Sequence, residues 1–414
     1  MNTDLVIYNI GQLVTGRELS LELGSSMENI EILENGYIAV SDGEVVAVGQ
    51  GDVPSKLVNL TTKLLDAEGR VVTPGLIDSH THLVHGGSRE NEFSQKINGV
   101  PYLEILENGG GILSTVRATK EATEDELLEK AKKSLKTMLS FGVTTVESKS
   151  GYGLDLETEI KQLKVNERLN HTQDVEVVST FMAAHAVPPE YKGRSEEFID
   201  KVIEMLPIIK KDKLAEYCDI FCEKGIFSTD ESRKLLLAAK KCGLKIRIHA
   251  DEIENTKGAE LAVEMGAHSA DHLMAVSEVG IEALKNSETI ANLLPGTSFN
   301  LGKEYAPARK MIDSGVQVAL STDYNPGSCP TENIQLIMQI AASKLRMRPK
   351  EIFKAVTING AKALGRDKYI GSLEIGKRAD MVMFDAKNID YILYHFGINH
   401  VVKVFKNGCV VYKK

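Results

Sequence analysis

Two imidazoles one residue apart, His80 and His82 in Asp78-Ser79-His80-Thr81-His82, carry the clearest chemistry in this chain. On a strand, residues i and i+2 share a face, so the two rings would project together. Paired imidazoles from one segment are what a zinc-like ion takes from a protein. A helix would not pair them, because helical neighbours lie at i+3 and i+4. An apolar run over residues 71–77, broken by Pro74 and Gly75, precedes the pair, and His85-Gly86-Gly87-Ser88-Arg89 follows it. A bare His-x-His also occurs as two polar residues on a solvated strand face. The flanking Pro-Gly and Gly-Gly favour the ligand reading.

Something must hold those rings. After Gly75, short apolar strands are expected at 143–146, 175–181, 217–221, 245–248, 269–273, 289–293 and 316–320. Helix-periodic segments separate them, among them 155–169, 195–206 and 229–241, and 123–140 opens on a capping box, Thr123-Glu124-Asp125-Glu126. With the strand at Gly75–Asp78 and a last helix at 331–345, this makes eight strand–helix units. Such alternation implies a parallel sheet, and eight units imply a closed (β/α)8 barrel. Residues 349–364 read as one further helix. Both chain ends read as β: 5–8, 37–40, 44–48, 64–66 and 70–72 at the start, then 381–384, 401–405 and 409–412 around Asn407-Gly408, a strong hairpin signal. The expected fold is therefore α/β: a TIM barrel over 75–365, with a small β-sandwich domain built discontinuously from 1–74 and 366–414.

Barrel active sites lie at the C-terminal ends of the strands. Those ends carry His80 and His82, the stretch from Glu147 to Gly153, His185, His249-Ala250-Asp251-Glu252, Asp271-His272, and Ser321 to Ser328. Of ten histidines, five (His80, His82, His185, His249 and His272) fall there. Chance placement would scatter them.

His-x-His after strand one, His after strands five and six, and Asp after strand eight resemble the amidohydrolase superfamily of metal-dependent hydrolases. The likeness runs over nearly the whole chain and rests on residues 78–89, 147–154, 249–252 and 323–328. It implies a metal held by His80, His82, His249 and Asp323, and these donors suit zinc or iron equally. Some relatives bridge two ions through a carbamylated lysine ending strand four. Here that end reads Phe221-Cys222-Glu223-Lys224, with Lys224 beyond the strand, so one ion per chain is expected.

The resemblance also implies catalytic roles for Glu252, His272 and Asp323, since amide hydrolysis needs a base for water and an acid for the leaving nitrogen. Arg89, Tyr102, Tyr152, His185, Glu252, Asn325, Gly327 and Ser328 are the implied substrate contacts. Arginine's planar fork suits a carboxylate. Gly109-Gly110-Gly111 lacks the preceding strand and following Lys-Ser/Thr of a phosphate loop, and reads as a loop beside the site. The implied reaction opens a cyclic amide that carries a carboxylate, an imidazolone of histidine breakdown. A deaminase or another cyclic amidase is the alternative, and Arg89 discriminates, because a neutral nucleobase needs no carboxylate clamp. A binding protein derived from the fold would have shed ligands, and this set is complete.

The resemblance implies a small anionic molecule as partner, and composition excludes other classes. The formal net charge of the 414 residues is -9 and no basic stripe is present, which argues against nucleic acid. No apolar run is long enough for a bilayer, and the start lacks a signal-peptide pattern. Five cysteines without a Cys-x-x-Cys point to a reducing cytoplasm. A homodimer is expected.

Overall fold

The apolar run at 71–77 does not form one strand. In the computed structural model, described over residues 3–19, 26–100, 104 and 108–414, it is shared between two sheets. The first sheet collects β1 (Leu5–Glu18), β2 (Ile30–Ser41), β3 (Glu44–Gln50), β4 (Lys63–Asp66) and β5 (Val71–Pro74). The barrel then begins with β6 (Leu76–Asp78). Gly75 sits at the switch: a Cβ there would lie 2.2 Å from Thr144 Oγ1, so glycine lets the junction pack closely against the strand that carries Thr144.

The barrel continues through β7 (Val143–Lys149), β8 (Glu176–Ala184), β9 (Tyr217–Cys222), β10 (Lys245–Ile246), β11 (Ile248–Ala250), β12 (Ser269–His272), β13 (Ile290–Leu293) and β14 (Val318–Leu320). The hydrogen-bonded order is β6-β7-β8-β9-β11-β12-β13-β14, with β10 beside β9, and every pairing is parallel. Strand five is therefore split, and the break falls at Arg247. The first and last strands meet beyond their ends. Asp323 N donates to His80 O at 3.1 Å and His82 N to Tyr324 O at 2.9 Å. The buried Asp78 carboxylate locks the seam by accepting from Thr322 N at 3.0 Å and Thr322 Oγ1 at 2.6 Å. Closure thus places His80, His82 and Asp323 side by side.

The tail returns as β15 (Met381–Phe384), β16 (Val401–Lys406) and β17 (Cys409–Lys413). The chain ends share one hydrogen-bonded sheet, ordered β17-β16-β15-β5-β1-β2-β3 with β4 on β1. Strand β5 joins the halves, running parallel to β1 on one side and antiparallel to β15 on the other. Ile7, Ile10, Leu13, Val72, Met383 and Phe405 pack together in its core.

Between the strands, the predicted capping box at Thr123 and Glu126 opens a helix over Glu124–Ser140. Residues 349–364 depart from expectation: they form two helices, Pro349–Ala355 and Ile358–Ala363. Thr357, at φ -127 and ψ -97, interrupts them. The carbonyl of Val356 is taken by Ile77 N of the barrel at 2.8 Å, so a tertiary contact outcompetes the helical one. Among the described residues, four short α-helices were not legible in the sequence: Glu90–Ile97, Ile112–Glu121, Pro295–Leu301 and Ile389–Tyr394. Among the described residues no helix is long and apolar enough to cross a membrane.

Candidate active site

Four imidazoles and a carboxylate converge where the barrel strands end. Potential ligand atoms of His80, His82 and His249 lie within 4.8 Å of one another, as do those of His80, His272 and Asp323. All five residues are buried. The backbone is left-handed at His272 (φ 79), Leu273 (φ 63) and Asp323 (φ 55). Such conformations cost about 1–3 kcal/mol each and persist where the surroundings enforce them.

Two of the four rings, His80 and His249, are aimed by a carboxylate behind them. His80 Nδ1 meets Asp271 Oδ2 at 2.8 Å, and His249 Nδ1 meets Asp219 Oδ1 at 3.1 Å. A carboxylate behind Nδ1 accepts its N–H, which fixes the tautomer and leaves a lone pair on Nε2. The Nε2 atoms of His80 and His249 are buried without a hydrogen-bond partner. Asp323 divides its oxygens: Oδ2 accepts from the Thr297 hydroxyl and from Ser328 Oγ, while Oδ1 faces His80 Nε2 at 3.5 Å and His82 Nε2 at 3.8 Å. Unpartnered buried nitrogens opposite a free carboxylate oxygen fit a divalent cation of the zinc or iron type.

The electrostatics agree. Burial, reinforced by Lys149 at His80 and by His185 at His82, holds both imidazoles well below their usual pKa. They are therefore neutral, as metal ligation requires. Burial opposes ionisation of Asp219 and Asp271. Lys149 overcomes this at Asp219, and Arg247 followed by Lys149 at Asp271, so both stay charged. Lys149 Nζ is 2.8 Å from Glu147 Oε1 and 2.7 Å from Asp219 Oδ2, and Arg247 Nη2 is 3.2 Å from Asp271 Oδ2. These side chains are fully buried, and the network fixes the ligand rings from below.

Glu252 Oε2 lies 3.5 Å from His272 Nε2. Burial, then the charges of Asp323 and Glu223, push the Glu252 carboxyl up to about 8. A cation beside it draws the value down. Glu223 accepts from Ile253 N at 2.8 Å and Glu254 N at 3.2 Å, which holds the loop carrying Glu252.

The remaining sequence candidates divide. His185 stacks on His82 with centroids 4.6 Å apart, and Tyr152 lies 5.3 Å from His185. Gly151 O can only accept, so His185 Nδ1, 3.1 Å away, is the donor, and its Nε2 offers a lone pair. Arg89 spans toward the 325–328 loop: a Cβ on Gly327 would lie 2.2 Å from Arg89 Nη1. Asn325 spends its side chain inside that loop, accepting from Gly327 N and Ser328 N at 2.8 Å each and donating to Asp323 O and Ser328 Oγ at 2.7 Å each. Its geometry is that of a turn-former. Tyr102 lies outside the described residues. Lys224 stands away from the cluster, exposed and paired with Glu254 at 2.7 Å.

Sequence reasoning missed Asp219, Arg247, Thr297, Glu223 and Glu159, and it gave Lys149 no role of its own within the strand end 147–153. Asp219 had a signal, a charge inside an apolar strand. Glu159 accepts backbone N–H from Gly151, Gly153 and Leu154 at 3.2, 2.8 and 2.9 Å, so it shapes the loop that presents Tyr152. Only the fold brings it there.

A family model described as the amidohydrolase family matches residues 71–412. The chain belongs to the amidohydrolase family. Within that family it groups with proteins named imidazolonepropionase: one from Fusobacterium nucleatum subsp. nucleatum is 61% identical over 100% of both chains, and one from Alkaliphilus metalliredigens is 57% identical over 100% of this chain and 99% of its own. One from Bacillus mycoides is 54% identical over 99% and 97%. These relatives and the family make it a hydrolase of carbon–nitrogen bonds. Among solved structures, a zinc-bound adenosine deaminase from Xanthomonas campestris superposes with a TM-score of 0.71 at 18% identity, covering 98% of this chain and 92% of its own. E. coli guanine deaminase gives 0.68 at 16% identity, over 100% of both. These two share the fold.

Proposed function

We propose that this chain opens the ring of 4-imidazolone-5-propanoate by hydrolysing its ring amide C–N bond, giving N-formimidoyl-L-glutamate in histidine breakdown. The observation that carries the reading is the pair of unpartnered Nε2 atoms on His80 and His249, with Asp271 and Asp219 behind the rings and Asp323 Oδ1 3.5 Å from His80 Nε2. His80, His82, His249 and Asp323 would hold one ion, zinc or iron. Bound there, the ion supplies Lewis acidity, which makes water nucleophilic near neutral pH.

The protein's own groups do the rest. Glu252 takes a proton from the attacking water and returns one to the leaving ring nitrogen. The water oxygen joins the carbonyl carbon as the C–N bond breaks. His272 stabilises the negative charge that develops on the carbonyl oxygen. Neutral His185 accepts a ring N–H at Nε2, which orients the ring, and Tyr152 packs beside it. Arg89 grips the propionate, with Gly327 and Ser328 lining its approach. All five cysteines are free thiols, which supports a cytoplasmic location.

Arg89 separates this reading from a deaminase. A charge-assisted hydrogen bond contributes about 1.5–3 kcal/mol, and about 1.4 kcal/mol is tenfold. Arg89→Ala should therefore lose roughly 10- to 200-fold in kcat/KM. The loss should fall in KM if the grip is equal in ground and transition states. Arg89→Lys should recover only part, because an ammonium lacks the planar fork. Steady-state kinetics on the natural ring and on an imidazolone without the carboxylate provide the check. Wild-type turnover of both rings at equal efficiency would put the deaminase or general amidase reading ahead.

A further inference from the structure

An acidic residue in the first turn of a helix ordinarily caps that helix by accepting its own backbone N–H groups. Glu92, in the helix Glu90–Ile97, does otherwise. Its Oε2 accepts from Arg89 Nε at 2.9 Å and Nη2 at 2.7 Å. Its Oε1 accepts from Gly111 N at 3.1 Å and Ser114 Oγ at 3.0 Å, tying it to the start of the helix Ile112–Glu121. Glu92 is buried, and only 11% of the Arg89 side chain is exposed. Burial opposes the charge on Glu92, but Arg89 and then Gly111 and Ser114 hold its carboxyl below the usual value.

Among the described residues, this leaves the arginine with one edge occupied and one edge without a hydrogen-bond partner. The Nε–Nη2 edge belongs to Glu92. Nη1 points over Gly327, where the absence of a side chain gives it room. A long side chain pays rotamer entropy when a ligand fixes it, and an arginine already locked pays less. We propose that Glu92 is a positioning residue that presets the Arg89 fork toward the substrate carboxylate. The inference rests on the proposal that Arg89 binds that carboxylate. It carries an unusual sign. By charge alone, an anion beside an anion site weakens it, so removing Glu92 would tighten substrate binding. Positioning predicts the reverse.

The test is a kinetic cycle on the metal-loaded enzyme: wild type, Arg89→Ala, Glu92→Ala and the double variant, each with the natural ring and the carboxylate-free ring. Glu92→Ala should raise KM for the natural ring roughly tenfold, leave kcat within about twofold, and leave the carboxylate-free ring unaffected. The double variant should match Arg89→Ala, because Glu92 acts only through the arginine. Should Glu92→Ala fold poorly, the isosteric Glu92→Gln keeps one acceptor oxygen in place of two and should raise KM severalfold. A lowered or unchanged KM in the folded variant, an equal loss on both rings, or losses that multiply in the double variant would each overturn the proposal. If wild type discriminates between the rings and Arg89→Ala does not, the carboxylate reading stands, and an unchanged Glu92 variant sinks the positioning role alone. Equal wild-type turnover of both rings removes the substrate reading and this inference with it.

Discussion

Replacing His249 with alanine should leave a folded barrel that neither holds its ion nor turns over substrate. The ring contributes one of the two buried, unpartnered Nε2 atoms, and Asp219 aims it from behind. Lewis-acid assistance amounts to several kcal/mol, so at about 1.4 kcal/mol per tenfold the loss should be roughly 10³-fold or more. The fold should survive, because barrel closure runs through Asp78, Thr322 and the His82–Tyr324 contact, not through this ring. Elemental analysis, kcat and far-ultraviolet circular dichroism on one preparation provide the check. A variant that retains one equivalent of ion and near-normal turnover would remove His249 from the ligand set.

Glu252→Gln should instead keep the ion and lose the chemistry, with kcat falling by about 10²–10⁴. Its carboxyl sits 3.5 Å from His272 Nε2 and is pushed up to about 8, first by burial and then by Asp323 and Glu223. A base works only when ionised, so activity should rise with pH through this group. A bound cation places that rise below about 8. The glutamine variant should lack this acid limb while its metal content stays at wild-type level. A metal-replete Glu252→Gln enzyme with wild-type kcat and the same pH profile would assign the proton transfer to another group, such as His272 or Asp323.

What the sequence disclosed follows from which interactions are local. His80 and His82 stand at strand spacing, and their shared direction follows from that alone. The capping box at Thr123 and Glu126 is closed within four residues and formed as read. The barrel was legible because alternation of apolar strands and amphipathic helices repeats eight times. Non-local choices were not legible. Residues 349–364 have helical composition, yet a strand amide from Ile77 captures the Val356 carbonyl and splits them. Lys149, read only as part of a strand end, and Arg247, which drew no reading, gain their roles when the barrel surrounds them with Glu147, Asp219 and Asp271. Thr297 reaches Asp323 from a seven-residue helix with almost no periodicity to betray it. Asn325 was read as a substrate contact from its place beyond strand eight, but its hydrogen bonds close its own turn.

The central claim is that this site opens the imidazolone ring by adding water at the ring carbonyl. The most direct test incubates the purified, metal-loaded chain with 4-imidazolone-5-propanoate in ¹⁸O-labelled water and resolves the products by nuclear magnetic resonance and mass spectrometry. The expected outcome is N-formimidoyl-L-glutamate with the label in its newly formed carboxylate, no ammonia released, and loss of turnover on chelation. Ammonia release with the ring intact, or ring opening at full rate in the chelated enzyme, would contradict it.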